Sequence, residues 1–281
     1  MIKDVDSSIV AVEHGFDIRS TLDIDIQDIA DRALRRQIEA EMDIDGGCAI
    51  IMDVETGAIE MYDFPESGEE AFIASGMKAN TCRVGLSFVP GRLKECVDFA
   101  ADKTVVESSS GRIARDLCIH SEYLTSPQFC RDLAGANREL KRSVHLHASE
   151  TSLEHEECIK RHGMTPMKYL DSVGLLDYGA YAAHCVYCTD DDFRIMKDKN
   201  VTLVHNPTSN LKLGSGFARI PEAVAAGVNV ALGTDGCASN DNLDMFEEMH
   251  LASLIHKGRL NDPTAVGAWE IIEMASVNGA E

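Results

Sequence analysis

No stretch of this sequence approaches the roughly 18 consecutive apolar residues of a membrane-spanning helix. Its first residues, MIKDVDSSIVAVEHG, hold no apolar core of a secretory leader, so the expected location is cytoplasmic. Positive charge is scarce: 26 Lys and Arg against 47 Asp and Glu give a net charge of −21. A polyanion or an anionic bilayer would be repelled over most of such a surface, so neither nucleic acid nor membrane is an expected partner. A disulfide framework is missing too. The nine cysteines are odd in number and scattered, and a chain of 281 residues needs no staples. Cys185 and Cys188 have C-x-x-C spacing, but no second Cys/His pair at zinc-finger spacing accompanies them, which leaves reduced thiols as the simpler reading. Histidine is nearly absent upstream: His14 is the only one before His120.

What is present has two textures. Gln27 to Ala40 places Ile29, Ala33, Leu34 and Ile38 on a helical period, and Cys48–Val54 and Ala58–Tyr62 then read as a hairpin turning at Glu55-Thr56-Gly57. This helix-and-hairpin segment, residues 1–63, has an α+β character. The runs Thr21–Gln27 (TLDIDIQ), Ala33-Leu34 and Ala49–Gly57 (AIIMDVETG) resemble a stretch of the penicillin-binding transpeptidases. That resemblance carries no catalytic machinery: Ser75-Gly-Met-Lys78 and Ser209-Asn-Leu-Lys212 fit the Ser-x-x-Lys pattern, but no Lys-Thr-Gly follows either.

From residue 64 to 281 the pattern becomes strand, loop, helix, repeated. Short apolar strands are predicted at Ala79–Phe88, Ile113–Ile119, Ser143–His147, Ala180–Cys185, Val201–His205 and Val228–Gly233. Helical patterns intervene, among them Leu93–Ala101, Pro127–Leu140, Met167–Val173, Asp190–Asp198 and Ile220–Ala226. Alternation of this kind predicts right-handed βα units on a parallel sheet, whose C-terminal strand ends collect function. Five strands in succession end in His120, His147, His184, His205 and Asp235. A lone strand-end histidine is usually a hydrogen-bonded core residue, but an ordered series on parallel strands is expected to meet in one mouth. His, Asp and Glu converging there is the donor chemistry of a catalytic zinc or similar divalent ion. His147-Ala-Ser-Glu150 adds a carboxylate just past a strand-end imidazole, and His205–Gly216 reads as a polar, Gly-rich loop suited to closing over a substrate.

The runs HLHASET, AAHCV, HNPTSNLKLGSG and GTDGCASNDNLDMFEEMHLASL, with Gly111–Ser126 upstream, resemble the amidohydrolase superfamily in order and spacing. Within it they look most like the 5′-methylthioadenosine/S-adenosylhomocysteine deaminases. The resemblance implies an α/β fold: a (β/α)8 TIM-type barrel, incomplete here at about six of eight strands. It further implies one divalent metal ion, zinc by preference, and hydrolytic deamination of an adenine nucleoside, with a metal-activated water attacking purine C6 and ammonia released. In that scheme His147 and Asp235 bind metal, and Asp235 also accepts a proton from the attacking water. Glu150 protonates the ring nitrogen and relays protons to ammonia, and His184 orients the nucleophile. Arg112 and His120 face the 5′ side of the nucleoside, and Asn206 and Ser239 lie near the substrate. The expected partner is thus a small purine nucleoside, with a homo-oligomer compatible.

The sequence departs from that pattern at its front. The family's first barrel strand ends in His-x-His and supplies two further ligands, whereas the one such run here is His145-Leu-His147. The family's ribose-gripping acidic residue also has no counterpart, and the chain stops in a helix that the family continues. Weak or absent deamination is therefore expected of this chain. The alternatives are a non-catalytic truncated or chimeric chain, or another amidohydrolase such as a guanine deaminase or chlorohydrolase.

Overall fold

The computed structural model describes residues 11–12, 15–16, 69, 72–73 and 78–280. The predicted helix at 27–40 and hairpin at 48–62 lie outside them. The chain divides into two compact units, Met1–Ala79 and Asn80–Glu281. In the first, β1 (Ala11–Val12) pairs antiparallel with β2 (Gly15–Phe16).

The second unit is built on a six-stranded sheet in sequential order: β3 (Ala79–Cys82), β4 (Ile113–Cys118), β5 (Val144–Ala148), β6 (Ala180–His184), β7 (Val201–His205) and β8 (Val230–Leu232). The pairs from β4 to β8 are parallel. Each crossover carries at least one helix. α1 (Arg92–Ala101) and α2 (Thr104–Ser108) precede β4, and α3 (Pro127–Leu140) precedes β5. α4 (Ser152–His162) and α5 (Pro166–Ser172) lead to β6, and α6 (Asp190–Asp198) to β7. α7 (Pro207–Lys212) and α8 (Ile220–Ala226) lead to β8, and α9 (Cys237–Asn240), α10 (Met245–Leu260), α11 (Ala268–Ala275) and α12 (Val277–Ala280) follow it. Neighbours in sequence are neighbours in the sheet, as right-handed βα repetition requires. The strand pattern predicts this parallel βα sheet, and the incomplete barrel is the one that the family resemblance implies.

The strands have the predicted positions, with β3 stopping at Cys82 and β8 reduced to Val230–Leu232; beyond β3, Gly85 still exchanges backbone hydrogen bonds with Cys118 and His120. The core lies between sheet and helices. Leu117, Val144, Leu146, Val201, Leu203 and Val230 turn one face of the sheet toward Leu133, Met167, Leu170, Phe193, Met196 and Ala223 of the helices, all buried. Each such Val, Leu, Phe or Met side chain contributes about 1.5–3 kcal/mol by leaving water. Helix starts are marked chemically: Ser126, Thr151, Thr165 and Thr189 each accept a hydrogen bond from the backbone N–H three residues on, which begins α3, α4, α5 and α6. None of these helices is long and apolar enough to cross a membrane.

Candidate active site

Strand periodicity of two decides which side chains enter the mouth. On β5, Val144, Leu146 and Ala148 are fully buried against the helices, so His145 and His147 share the opposite, inner face. The register Ala148↔His184 gives His184 the parity of helix-facing Ala148, but β6 ends there with φ 69°, and the His184 ring lies beside His147 all the same. Their rings stack with centroids 5.5 Å apart, and His120 packs on the other side of His147 at 4.7 Å. Asp235, just past β8, completes the group. One donor atom from each of His147, His184 and Asp235 falls within 4.8 Å of the other two.

His205 does not join them, contrary to the expectation that all five strand ends share one mouth. It has the parity of Val201 and Leu203, the helix-facing side, and its Nε2 lies 3.2 Å from Nε2 of His256 on α10. Both rings are fully buried. Arg112 is also elsewhere. It precedes Ile113, so it sits at the N-terminal end of β4 while His120 follows the C-terminal end, and its Nε donates to Ser109 O at 3.2 Å. A six-residue strand separates the two by about 20 Å.

Each functional side chain is held by a second partner. His147 Nδ1 lies 2.6 Å from His120 O, which directs Nε2 toward the mouth. His184 Nδ1 lies 2.9 Å from Asn210 Oδ1, so Nε2 faces Glu150 Oε2 at 3.8 Å and Asp235 Oδ2 at 3.9 Å. A ring N–H given to an oxygen acceptor fixes the tautomer and leaves the other nitrogen as a ligand. Asp235 Oδ2 accepts from Ser209 Oγ at 2.6 Å, and Oδ1 from the Gly236 N–H at 2.7 Å. The Glu154 carboxylate accepts both backbone N–H groups of Ser149 and Glu150, at 2.9 and 2.7 Å, and so anchors the turn that presents Glu150. Ser215 Oγ donates to Glu150 Oε1 at 3.3 Å.

Burial, with the neighbouring imidazoles, pushes His147 well below the usual histidine range, and His120 is lowered for the same first reason. Neutral imidazole is the form that binds metal. The backbone is strained here as well: Ser149, His184, Cys185 and Asp235 all have φ between 51° and 69°. Left-handed conformations are costly for such residues and gather at functional sites.

Asn206, buried at the end of β7, accepts the His184 N–H through Oδ1 at 3.3 Å. It is a strut under His184. Gly233 leaves it room: a Cβ there would come within 2.9 Å of Asn206 Nδ2 and 2.7 Å of Val204 Cγ1. Ser239 lies on α9, in the loop that follows Asp235. The predicted polar loop after His205 begins instead with a helix, α7, and Ser209 and Asn210 of that helix hold Asp235 and His184. Those two supports, with Glu154, Ser215 and Glu248, are absent from the predicted site. Ser209, Asn210 and Ser215 lie in the HNPTSNLKLGSG run, so the signal was there as an unusual polar density. Glu248, fully buried on α10, accepts from Thr208 N at 3.1 Å and Asn240 Nδ2 at 2.6 Å, which ties α7 to α9. Cys185 and Cys188 are buried free thiols.

The donor set fits a divalent ion: two imidazoles with their second nitrogens engaged and one carboxylate, the N/O chemistry of a catalytic zinc. Comparison with known proteins agrees. A 5-methylthioadenosine/S-adenosylhomocysteine deaminase of Acetivibrio thermocellus is 44% identical over 79% of this chain and 52% of its own length. A 5'-deoxyadenosine deaminase of Methanothermobacter thermautotrophicus is 43% identical over 67% of this chain and 42% of its own. The chain thus spans about half the length of the curated relatives it matches. Among solved structures, an adenosine deaminase from Xanthomonas campestris with bound zinc superposes with a TM-score of 0.68 at 30% identity, over 77% of this chain and 50% of that one. A guanine deaminase from C. acetobutylicum, at 21% identity and a TM-score of 0.67, shares the fold. Residues 46–281 match the amidohydrolase family, and the chain belongs to it.

Proposed function

We propose that this chain deaminates adenine nucleosides hydrolytically at C6, of the methylthioadenosine, 5′-deoxyadenosine or adenosine kind, using one zinc ion that His147 and Asp235 would hold beside His184. The observation that carries the reading is the convergence of those three side chains within 4.8 Å, with Glu150 beside them. It is supported by relatives at 43–44% identity that carry deaminase names. When bound, a divalent ion lowers the pKa of water to about 7, which supplies a nucleophile at neutral pH.

The protein's own residues do the rest. Asp235 Oδ2 takes the proton from the attacking water, while Ser209 and Gly236 keep the carboxylate from swinging away. His184 Nε2, fixed by Asn210, orients the nucleophile toward C6. Glu150, held by Ser215 and by the anchored turn at Ser149, gives its proton to the ring nitrogen, passes the water proton that Asp235 took on to the departing amino group, and is reprotonated from the C6 hydroxyl as the carbonyl forms, so ammonia leaves neutral. His147 and Asp235 alone fall short of the three protein ligands usual for a catalytic zinc, and the sequence has no His-x-His besides 145–147, so turnover is expected to be weak.

Ammonia release from methylthioadenosine, 5′-deoxyadenosine and adenosine, with guanine as control, tests this in protein loaded with one equivalent of zinc. Slow release from an adenine nucleoside, abolished by Glu150→Gln while zinc stays bound, is expected. Zinc bound with no release from any adenine nucleoside overturns the reading.

A further inference from the structure

One layer below the candidate active site, the interior of the sheet is lined by sulfur. Cys82 on β3, Cys118 on β4 and His145 on β5 come from three consecutive strands, and Cys118 pairs directly with His145 in the parallel register. Parity places them together: Cys118 lies two residues before His120, and His145 two before His147, so each faces inward beneath its neighbour. Cys82 Sγ is 3.8 Å from His145 Nδ1, and one donor atom from each of the three residues lies within 4.8 Å of the other two. Barrel interiors are normally filled by branched apolar side chains. Here a level is given to two thiols and an imidazole instead.

We propose that Cys82, Cys118 and His145 form a second metal site, separate from the His147, His184 and Asp235 group and selective for thiophilic ions such as Zn²⁺ and Cd²⁺. The geometry is close to what such an ion needs. With Zn–S near 2.3 Å and Zn–N near 2.05 Å, tetrahedral donors S and N stand about 3.6 Å apart, against the 3.8 Å found. Ion binding therefore requires small side-chain rotations and no strand movement. Asp116, two residues before Cys118 on β4, accepts from Asn80 Nδ2 at 3.2 Å. The rings of His145 and His147 are 5.8 Å apart, so the two sites stack along the barrel axis without sharing a ligand.

Titration of the reduced, metal-free full chain with Cd²⁺ distinguishes the sites, because only thiolate ligation gives the sulfur-to-cadmium ultraviolet absorption. Two equivalents are expected, one of them producing that band. Cys82→Ser/Cys118→Ser is expected to lose the band and one equivalent, with at least a tenfold weaker affinity at that site. Asp235→Asn is expected to keep the band while weakening the other equivalent, so failure of the active-site reading is separable from failure of this one. In the unaltered protein, Cd²⁺ is expected to protect Cys82 from alkylation, mapped by mass spectrometry. Absence of the band in fully reduced protein, or unprotected Cys82, overturns the proposal, as does a Cys82–Cys118 disulfide that persists after reduction.

Discussion

His184 shows how much of this site depends on residues that touch no substrate. Its Nδ1 is engaged by Asn210 Oδ1, and only for that reason does Nε2 face Glu150 and Asp235. Replacing such a partner typically costs 10–100-fold in metal affinity or activity. Asn210→Leu is therefore expected to slow ammonia release by roughly that factor while zinc stays bound. An unchanged rate in a folded variant would show that the tautomer is set by something else. The same residue marks a limit of sequence reading. His147, His184, Glu150 and Asp235 were legible because strand-end imidazoles and carboxylates in series carry chemistry on their face. Asn210 and Ser209 were visible only as polar letters in a run, since their roles come from a helix, α7, that folds them back over the neighbouring strands.

Elements bury polar faces here, and that is what the periodicity of apolar residues could not reveal. α10 turns Glu248, Ala252 and His256 inward at i, i+4 and i+8, and α4 buries Glu154, His155 and Cys158. Neither helix was among those predicted, because neither has an apolar stripe. His205 departs from expectation for a related reason: its place in the strand-end series predicts a mouth residue, whereas it lies on the helix side with His256. Burial, helped by the Arg259 charge, holds His256 at about 4. The sign follows. Below the ordinary histidine value of about 6.5, the unfolded chain gains a proton that the folded chain refuses, so stability is lost as pH falls from there toward 4. Above that value His256 contributes no pH dependence. The unfolding free energy of the native protein relative to His256→Gln is expected to drop by roughly 3 kcal/mol between pH 7 and pH 4, measured by urea titration. A difference that stays constant over that range would place the His256 pKa near its ordinary value.

Over the whole molecule the dominant number is the net charge of −21. The ion pairs among the described residues, such as Arg115–Asp102 and Arg259–Glu222, engage a small part of the acidic excess. The rest repels itself, and salt shortens the reach of that repulsion from about 30 Å at 0.01 M to about 8 Å at 0.15 M. The midpoint of thermal unfolding is accordingly expected to rise by several degrees between those two ionic strengths. A midpoint that falls would mean that attractive pairs outweigh the excess. Fold class was readable at this scale because βα repetition writes itself in local patterns; the segment at 27–62 gave patterns of its own, which lie outside the described residues.

Four residues around the mouth, Ser149, His184, Cys185 and Asp235, carry left-handed backbone torsions that their side chains disfavour. Tension of that sort is sustained by the framework around it, not by any ligand, so the cradle stands ready before an ion arrives. An incoming ion must then shed its own water and little else, and a guest too large or too small finds walls that do not adjust.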